Sequence, residues 1–141
     1  MAFFKKVKLN GKWHLRAVTQ KRPATTDDVA ERLSAMSTVT PGDTYAVLLG
    51  LGPVLAELMS AGYSVHLKGI GSFHYSCQTS KQGVDTPEEA GAQLINSVKV
   101  RFIPEYARGQ QGQVTERSLI SPNLEWVEIG KDSREDREQE L

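Results

Sequence analysis

Residues 41–61 spread apolar side chains around nearly the whole circumference of a helix, and no other stretch constrains the fold as much. Thr40-Pro41-Gly42-Asp43 opens it, with Thr40 as hydroxyl cap and Pro41 at the first helical position. Tyr45, Val47, Leu48, Leu49, Leu51, Val54, Leu55, Leu58 and Met59 follow, and Gly62 stops it. Such a helix needs cover on several sides. A neighbouring sheet can cover one side of it; in a chain of 141 residues a second subunit is expected to cover the rest. Gly50 and Gly52 each cost about 1 kcal/mol relative to Ala inside a helix. Close approach of another helix is the expected compensation, and a kink is the alternative.

A shorter helix precedes it. Pro23 breaks the chain, Thr25-Thr26-Asp27-Asp28 supplies a hydroxyl cap and acids for the positive first turn, and Val29, Leu33 and Met36 keep helical spacing. After Gly62 the period changes to two. Val65 and Leu67 alternate with His66 and Lys68, then Phe73, Tyr75 and Cys77 resume the alternation beyond Gly69-Ile70-Gly71-Ser72. Residues 79–95 lack apolar periodicity and read as a loop or extended arm. Val98, Val100 and Phe102 mark another strand, with Lys99 and Arg101 on its opposite face, and Pro104 ends it. Residues 105–113 are polar and glycine-rich; 114–120 and 124–129 are short strand candidates around Ser121-Pro122-Asn123. Upstream of Pro23, 3–9 and 13–19 read as a hairpin around Asn10-Gly11. A three-residue loop would sort its faces best. It puts Val7, Leu9, Trp13 and Leu15 on one side and Lys6, Lys8, His14 and Arg16 on the other.

The charge is unevenly spread. Seventeen basic and seventeen acidic residues cancel, a balance that taken whole argues against a polyanion binder. By segment, residues 1–22 carry seven bases (Lys5, Lys6, Lys8, Lys12, Arg16, Lys21, Arg22) and no acid: +7. Residues 23–131 carry −4 and residues 132–141 carry −3. A basic end and an acidic tail point to a polyanion partner for the former and a flexible or frayed state for the latter.

Catalytic and metal chemistry find little support. Gly69-Ile70-Gly71 follows a strand, but the third glycine of a dinucleotide fingerprint would fall on His74, with strand residues where a helix is required. Gly50-Leu51-Gly52 fails at Leu55. Three histidines and one cysteine make a poor zinc set, and His74 and Cys77 point to opposite strand faces. Cys77 shares the apolar face of Phe73 and Tyr75 and is expected to be an inert core thiol. No nucleophile, base and oxyanion donor assemble. The expectation is therefore no enzyme, no cofactor, no metal and no small-molecule substrate. One cysteine and no long apolar run suggest a soluble protein of a reducing, cytoplasmic compartment, without a membrane span or a signal peptide.

Two helices, a glycine and then Val65-His66-Leu67-Lys68-Gly69-Ile70-Gly71-Ser72-Phe73 form a recognisable order. Over residues 23–108 the chain resembles the HU and integration-host-factor family of histone-like DNA-binding proteins. That family's hallmark strand runs into Gly-Phe-Gly-Ser/Thr-Phe, and Val98 to Pro104 is similar to its final strand. The resemblance implies an α+β fold and an intertwined homodimer, with two helices packed under an antiparallel sheet that carries a β-arm. It implies a sheet saddle on double-stranded DNA, with arms in the minor groove and proline wedges at their tips. Lys99 and Arg101 would face the DNA.

The arm departs from the family. The family's arm is arginine-rich with an Arg-Asn-Pro tip; here residues 79–95 hold Lys81 against Asp85, Glu88 and Glu89, a net −2. Pro87 is the arm's one proline, and the wedge role is not carried to it.

The expected organisation is a basic N-terminal β-hairpin extension (1–22), an HU-like core (23–108), a C-terminal strand extension (109–131) and an acidic flexible tail (132–141). The expected function is sequence-nonspecific, architectural, nucleoid-associated DNA binding and condensation. The candidate DNA-binding residues are Lys6, Lys8, Lys12, Arg16, Lys21, Arg22, Lys81, Lys99 and Arg101. The alternative is a dimeric interaction or structural protein that kept the fold and lost DNA wrapping.

Overall fold

A computed structural model describes residues 1–79 and 82–130 of the chain. Lys81 and the acidic tail at 132–141, both singled out above, lie outside the described residues. The chain divides into two compact units. One spans residues 25–119; the other joins residues 1–24 to residues 120–130.

In the first unit, α1 (Thr26–Ala35) and α2 (Pro41–Ser60) begin as their caps dictate. The Thr25 hydroxyl accepts the Asp28 N–H while Asp28 accepts the Thr25 N–H, a reciprocal capping box. The Thr40 hydroxyl accepts the Asp43 N–H at 3.2 Å. Pro53 lies inside α2, yet the helix is continuous across it. Its end is a Schellman closure: Gly62, at φ +94°, donates to the Met59 carbonyl and Tyr63 donates to that of Leu58.

Three strands follow: β3 (Val65–Leu67), β4 (Gly71–Thr79) and β5 (Ile95–Pro104), paired antiparallel in that order. Phe73 opposes Phe102, Tyr75 opposes Val100 and Cys77 opposes Val98, so these six share one face. The Phe73 and Phe102 rings lie 4.8 Å apart. That face meets α2, where the Tyr75 hydroxyl donates to the Ala56 carbonyl at 3.4 Å. Cys77 has its expected side of the sheet but is exposed, so it is not a core thiol. β6 (Tyr106–Arg108) and β7 (Val114–Arg117) close the unit as a small antiparallel pair. The expected strand at 114–120 thus stops early.

Very little of this unit is buried within one chain. Among the described residues only Ala30, Thr44, Met59 and Gly71 are buried. On α2, Thr44, Tyr45, Leu48, Leu51, Leu55 and Met59 turn inward at helical spacing. Val47, Val54 and Leu58 line another side at 70, 51 and 39% exposure. A Cβ at Gly50 or Gly52 would meet nothing within 4 Å, so among the described residues no other helix approaches there.

The second unit is a three-stranded sheet in the order β2-β1-β8, with β1 (Ala2–Leu9), β2 (Lys12–Val18) and β8 (Trp126–Glu128). Its hairpin corrects the sequence expectation. Leu9 pairs with Lys12 and Lys8 with Trp13, which leaves a two-residue loop, Asn10-Gly11. Their φ values of +51° and +76° are those of a type I′ turn, whose twist matches the strands. The side-chain sorting favoured a three-residue loop, but this ribbon buries neither face, so little energy enforces sorting. The last strand is also unexpected in its partner. β8 runs parallel to β1, pairing Ala2 with Trp126 and Phe4 with Glu128, rather than pairing with the strand before it.

Candidate nucleic-acid interface

Each unit carries its own basic strand face. In the first unit, pleating sends Lys99 and Arg101 to the side opposite Phe102 and Val100, away from α2. Ser76 stands across from Lys99 and His74 across from Arg101. The Arg101 Nε donates to the Ser76 hydroxyl at 3.4 Å, a long contact that leaves the rest of the guanidinium for other acceptors. Both cations are exposed.

An acid-centred network closes one end of that face. Glu105 accepts the Gly69 N–H on Oε2 at 2.6 Å and the Ser118 hydroxyl at 3.1 Å. Its Oε1 lies 3.1 Å from His66 Nε2, and His66 Nδ1 lies 3.0 Å from the Ser72 hydroxyl. The Gly69 amide above all, then Ser118 and His66, hold the Glu105 carboxyl below its ordinary value against an opposing desolvation. Gly69 turns at φ +82° to present its N–H, and Gly71 at φ +150° brings the backbone against β5. A Cβ at Gly71 would collide with the Ile103 carbonyl and sit 2.8 Å from the Phe102 ring. The glycines of the Gly-Ile-Gly-Ser-Phe segment therefore serve the sheet's geometry, as the failed nucleotide fingerprint suggested.

In the second unit the two-residue turn redistributes the hairpin cations. Lys6 and Lys8 share a face with Phe4, Trp13 and Leu15. Lys12 and Arg16 share the other with Lys5, Val7 and His14. The expected single basic face holding Lys6, Lys8 and Arg16 together is therefore not formed. The Lys8 ammonium lies 5.8 Å from the centroid of the Trp13 ring, over its face. Lys6 pairs with Glu128 of β8 at 3.3 Å. Lys21 and Arg22 line a cleft of about 670 Å³ at the open end of the hairpin, with Phe3, Val18 and Trp126 among its walls. Arg22 Nη1 donates to the Pro23 carbonyl at 3.1 Å.

Sequence reasoning missed the Trp13–Lys8 pair and the Glu105 network. The first was hidden by the loop length. The second joins residues 36 and 39 positions apart, for which no local pattern exists. Among the described residues, no group of three or more His, Cys, Asp or Glu side chains could hold a metal ion. No helix there is long and apolar enough to cross a membrane.

Comparisons with known proteins point the same way as the geometry. A family model described as HU domain fused to wHTH, Ig, or Glycine-rich motif matches residues 4–116. The match takes in most of the N-terminal hairpin as well as the helices and the β3-β4-β5 sheet. Among solved structures, a protein of Bacteroides vulgatus ATCC 8482, regarded as a bacterial DNA binding protein, superposes with a TM-score of 0.54 at 16% identity. The alignment covers 72% of this chain and 41% of that one, so this chain spans less than half of its neighbour's length. At that identity the likeness is one of fold. No curated protein matches the chain.

Proposed function

The chain belongs to the HU-HIG family, HU domain fused to wHTH, Ig, or Glycine-rich motif, and from that premise we propose that it is an architectural DNA-binding protein acting as a homodimer. It grips double-stranded DNA through phosphates, with little reading of base sequence. Lys99 and Arg101 form the saddle contact; Lys6, Lys8, Lys12 and Arg16 form the hairpin contact, with Lys21 and Arg22 beside it. The observation that carries this reading is the placement of Lys99 and Arg101. They stand together on the sheet face turned away from α2, on a strand of a family fold whose solved neighbour is regarded as DNA-binding. A nucleoid location in the cytoplasm follows from the same reading, as does the absence of catalysis.

The homodimer rests on uncovered apolar surface. Burying one Val or Leu side chain is worth about 1.5–3 kcal/mol, and a whole domain is stable by only about 5–15 kcal/mol. Val47, Val54 and Leu58 on one stripe of α2, with Val98 and Val100 on the sheet, are exposed in the single chain. Leaving all of them in water would forfeit much of the stability such a domain can have. A second copy packed on α2 recovers it, and Gly50 in that stripe allows close approach.

The test is a gel shift with a nicked or bent duplex beside a linear one of equal length. Preference for the deformed duplex supports the architectural role, because its bending cost is already met. Absence of binding at low ionic strength overturns it. The second reading, an interaction protein of HU type without DNA wrapping, is favoured by one feature. Asp85, Glu88 and Glu89 are exposed on the stretch between β4 and β5, where a DNA-wrapping arm needs cations.

A further inference from the structure

We infer that one face of the N-terminal hairpin is a base-stacking site, in which Trp13, with Leu15 beside it, packs on bases exposed where DNA is gapped, bulged or kinked. The inference deepens the DNA-binding reading and rests on it. Trp13 and Leu15 are 67 and 68% exposed and neighbour each other on β2's side of one pleated face. Lys8 stands across from Trp13 and Lys6 across from Leu15 on that same face. The two-residue turn creates this arrangement; with one more residue in the loop, the apolar and basic side chains would part.

A single exposed apolar residue needs no explanation. Here an indole and a leucine stand at the outer end of a ribbon, interleaved with ammonium groups. Residues 1–22 contain no acid. A purely apolar partner would strip water from the lysines without compensating them. A nucleotide meets both demands: its base offers a flat ring to the indole, and its phosphate offers oxygens to the lysines. Lys8 already lies over the Trp13 ring, which places a cation for the phosphate beside the indole. Lys6 is held by Glu128, so it reaches a phosphate by exchanging that carboxylate for it. Leucine is also a side chain that proteins wedge between base steps. The ribbon then does what the acidic stretch between β4 and β5 is poorly suited to do.

The experiment uses the full chain with Trp126→Phe, so that Trp13 is the one remaining indole. It is titrated with a duplex carrying a gap of unpaired thymidines, with an intact duplex of equal length, and with vesicles rich in phosphatidylglycerol. The expected result is stronger quenching of Trp13 emission by the gapped duplex than by the intact one. Trp13→Ala should weaken gapped-duplex binding about tenfold or more while leaving its salt dependence unchanged, and Trp13→Phe should restore most of the loss. If DNA binds but Trp13 emission and the Trp13→Ala affinity are unmoved, this inference falls and the DNA-binding reading stands. If neither duplex binds at low salt, both fall. A blue shift on vesicles with no response to DNA assigns the face to a lipid surface and likewise overturns the inference.

Discussion

Glu105 accepts the backbone N–H of Gly69 at 2.6 Å, which fastens the residue after β5 to the turn between β3 and β4. The carboxylate fills this role best when ionised, because a protonated carboxyl is a weaker acceptor for the Gly69, Ser118 and His66 donors. Its folded pKa is lowered from an ordinary 4.5. A lowered value means stability that is fully present above the unfolded value and is lost as pH falls through the folded one. Glu105→Gln removes the charge at nearly constant shape. The variant should melt below the parent near neutrality and converge with it as pH falls through the lowered folded value. Melting curves across that range check this, and a constant gap would refute it.

Gly71→Ala should be the most damaging single methyl in the turn region. The added carbon meets the Ile103 carbonyl and the Phe102 ring, at a φ of +150° that L residues rarely adopt. Overpacking and backbone strain each cost about 1–3 kcal/mol, so a loss of about 2 kcal/mol or more is expected. Gly69→Ala faces open space at φ +82° and should cost about 1–2 kcal/mol from the left-handed backbone alone. Urea denaturation of both variants ranks them, and an equal loss would contradict the collision.

Phosphate contacts predict a definite salt response. Removing one cation that touches a phosphate should flatten the slope of log K against log salt by about 0.9, so Lys6→Ala/Lys8→Ala should flatten it by about 1.8. Lys12→Ala/Arg16→Ala and Lys99→Ala/Arg101→Ala should each do the same. Binding isotherms at several salt concentrations give the slopes. A slope untouched by a pair removes that pair from the interface.

The dimer reading predicts a melting temperature that rises with protein concentration, since association stabilises only the assembled state. Val54→Asp puts a charge in the exposed stripe of α2 and should abolish that dependence, lowering the melting temperature as well. Sedimentation gives the independent check: a mass near that of one chain at micromolar concentration would remove the dimer.

Residues 132–141 carry five acids against two arginines. If they screen the basic hairpin, a chain ending at residue 131 should bind duplex DNA more tightly at low salt and converge with the full chain as salt rises. Unchanged affinity would exclude the screening role.

The helices and the β3-β4-β5 sheet were readable in the sequence because their signals are local and agree with one another. Thr25 and Thr40 cap, Gly62 terminates, and period-2 alternation marks Phe73–Tyr75–Cys77 against Val98–Val100–Phe102. The hairpin was half readable. Asn10-Gly11 gave its position, while the alternation of side chains suggested a loop one residue too long. Local turn energetics prevail where no buried face enforces the pleat. The pairing of β8 with β1 left no trace in the sequence, because a parallel contact between residues 2 and 126 has no spacing rule. The candidate cations were readable as types. Which of them share a face was not, since a single residue of register exchanges the faces.

The parallel seam between β1 and β8 also sets an order of assembly. During synthesis, the Asn10-Gly11 ribbon is made more than a hundred residues before Trp126. Until then one edge of β1 stands open, with its N–H and C=O groups unpaired next to exposed apolar side chains. The helices and the β3-β4-β5 sheet form from nearer neighbours and can fold in that interval. The unit that holds both ends of the described chain is therefore the last to close. An unfinished or truncated chain would present a folded middle with a sticky ribbon attached, so damage near residues 126–128 should surface as aggregation through the uncovered edge of β1.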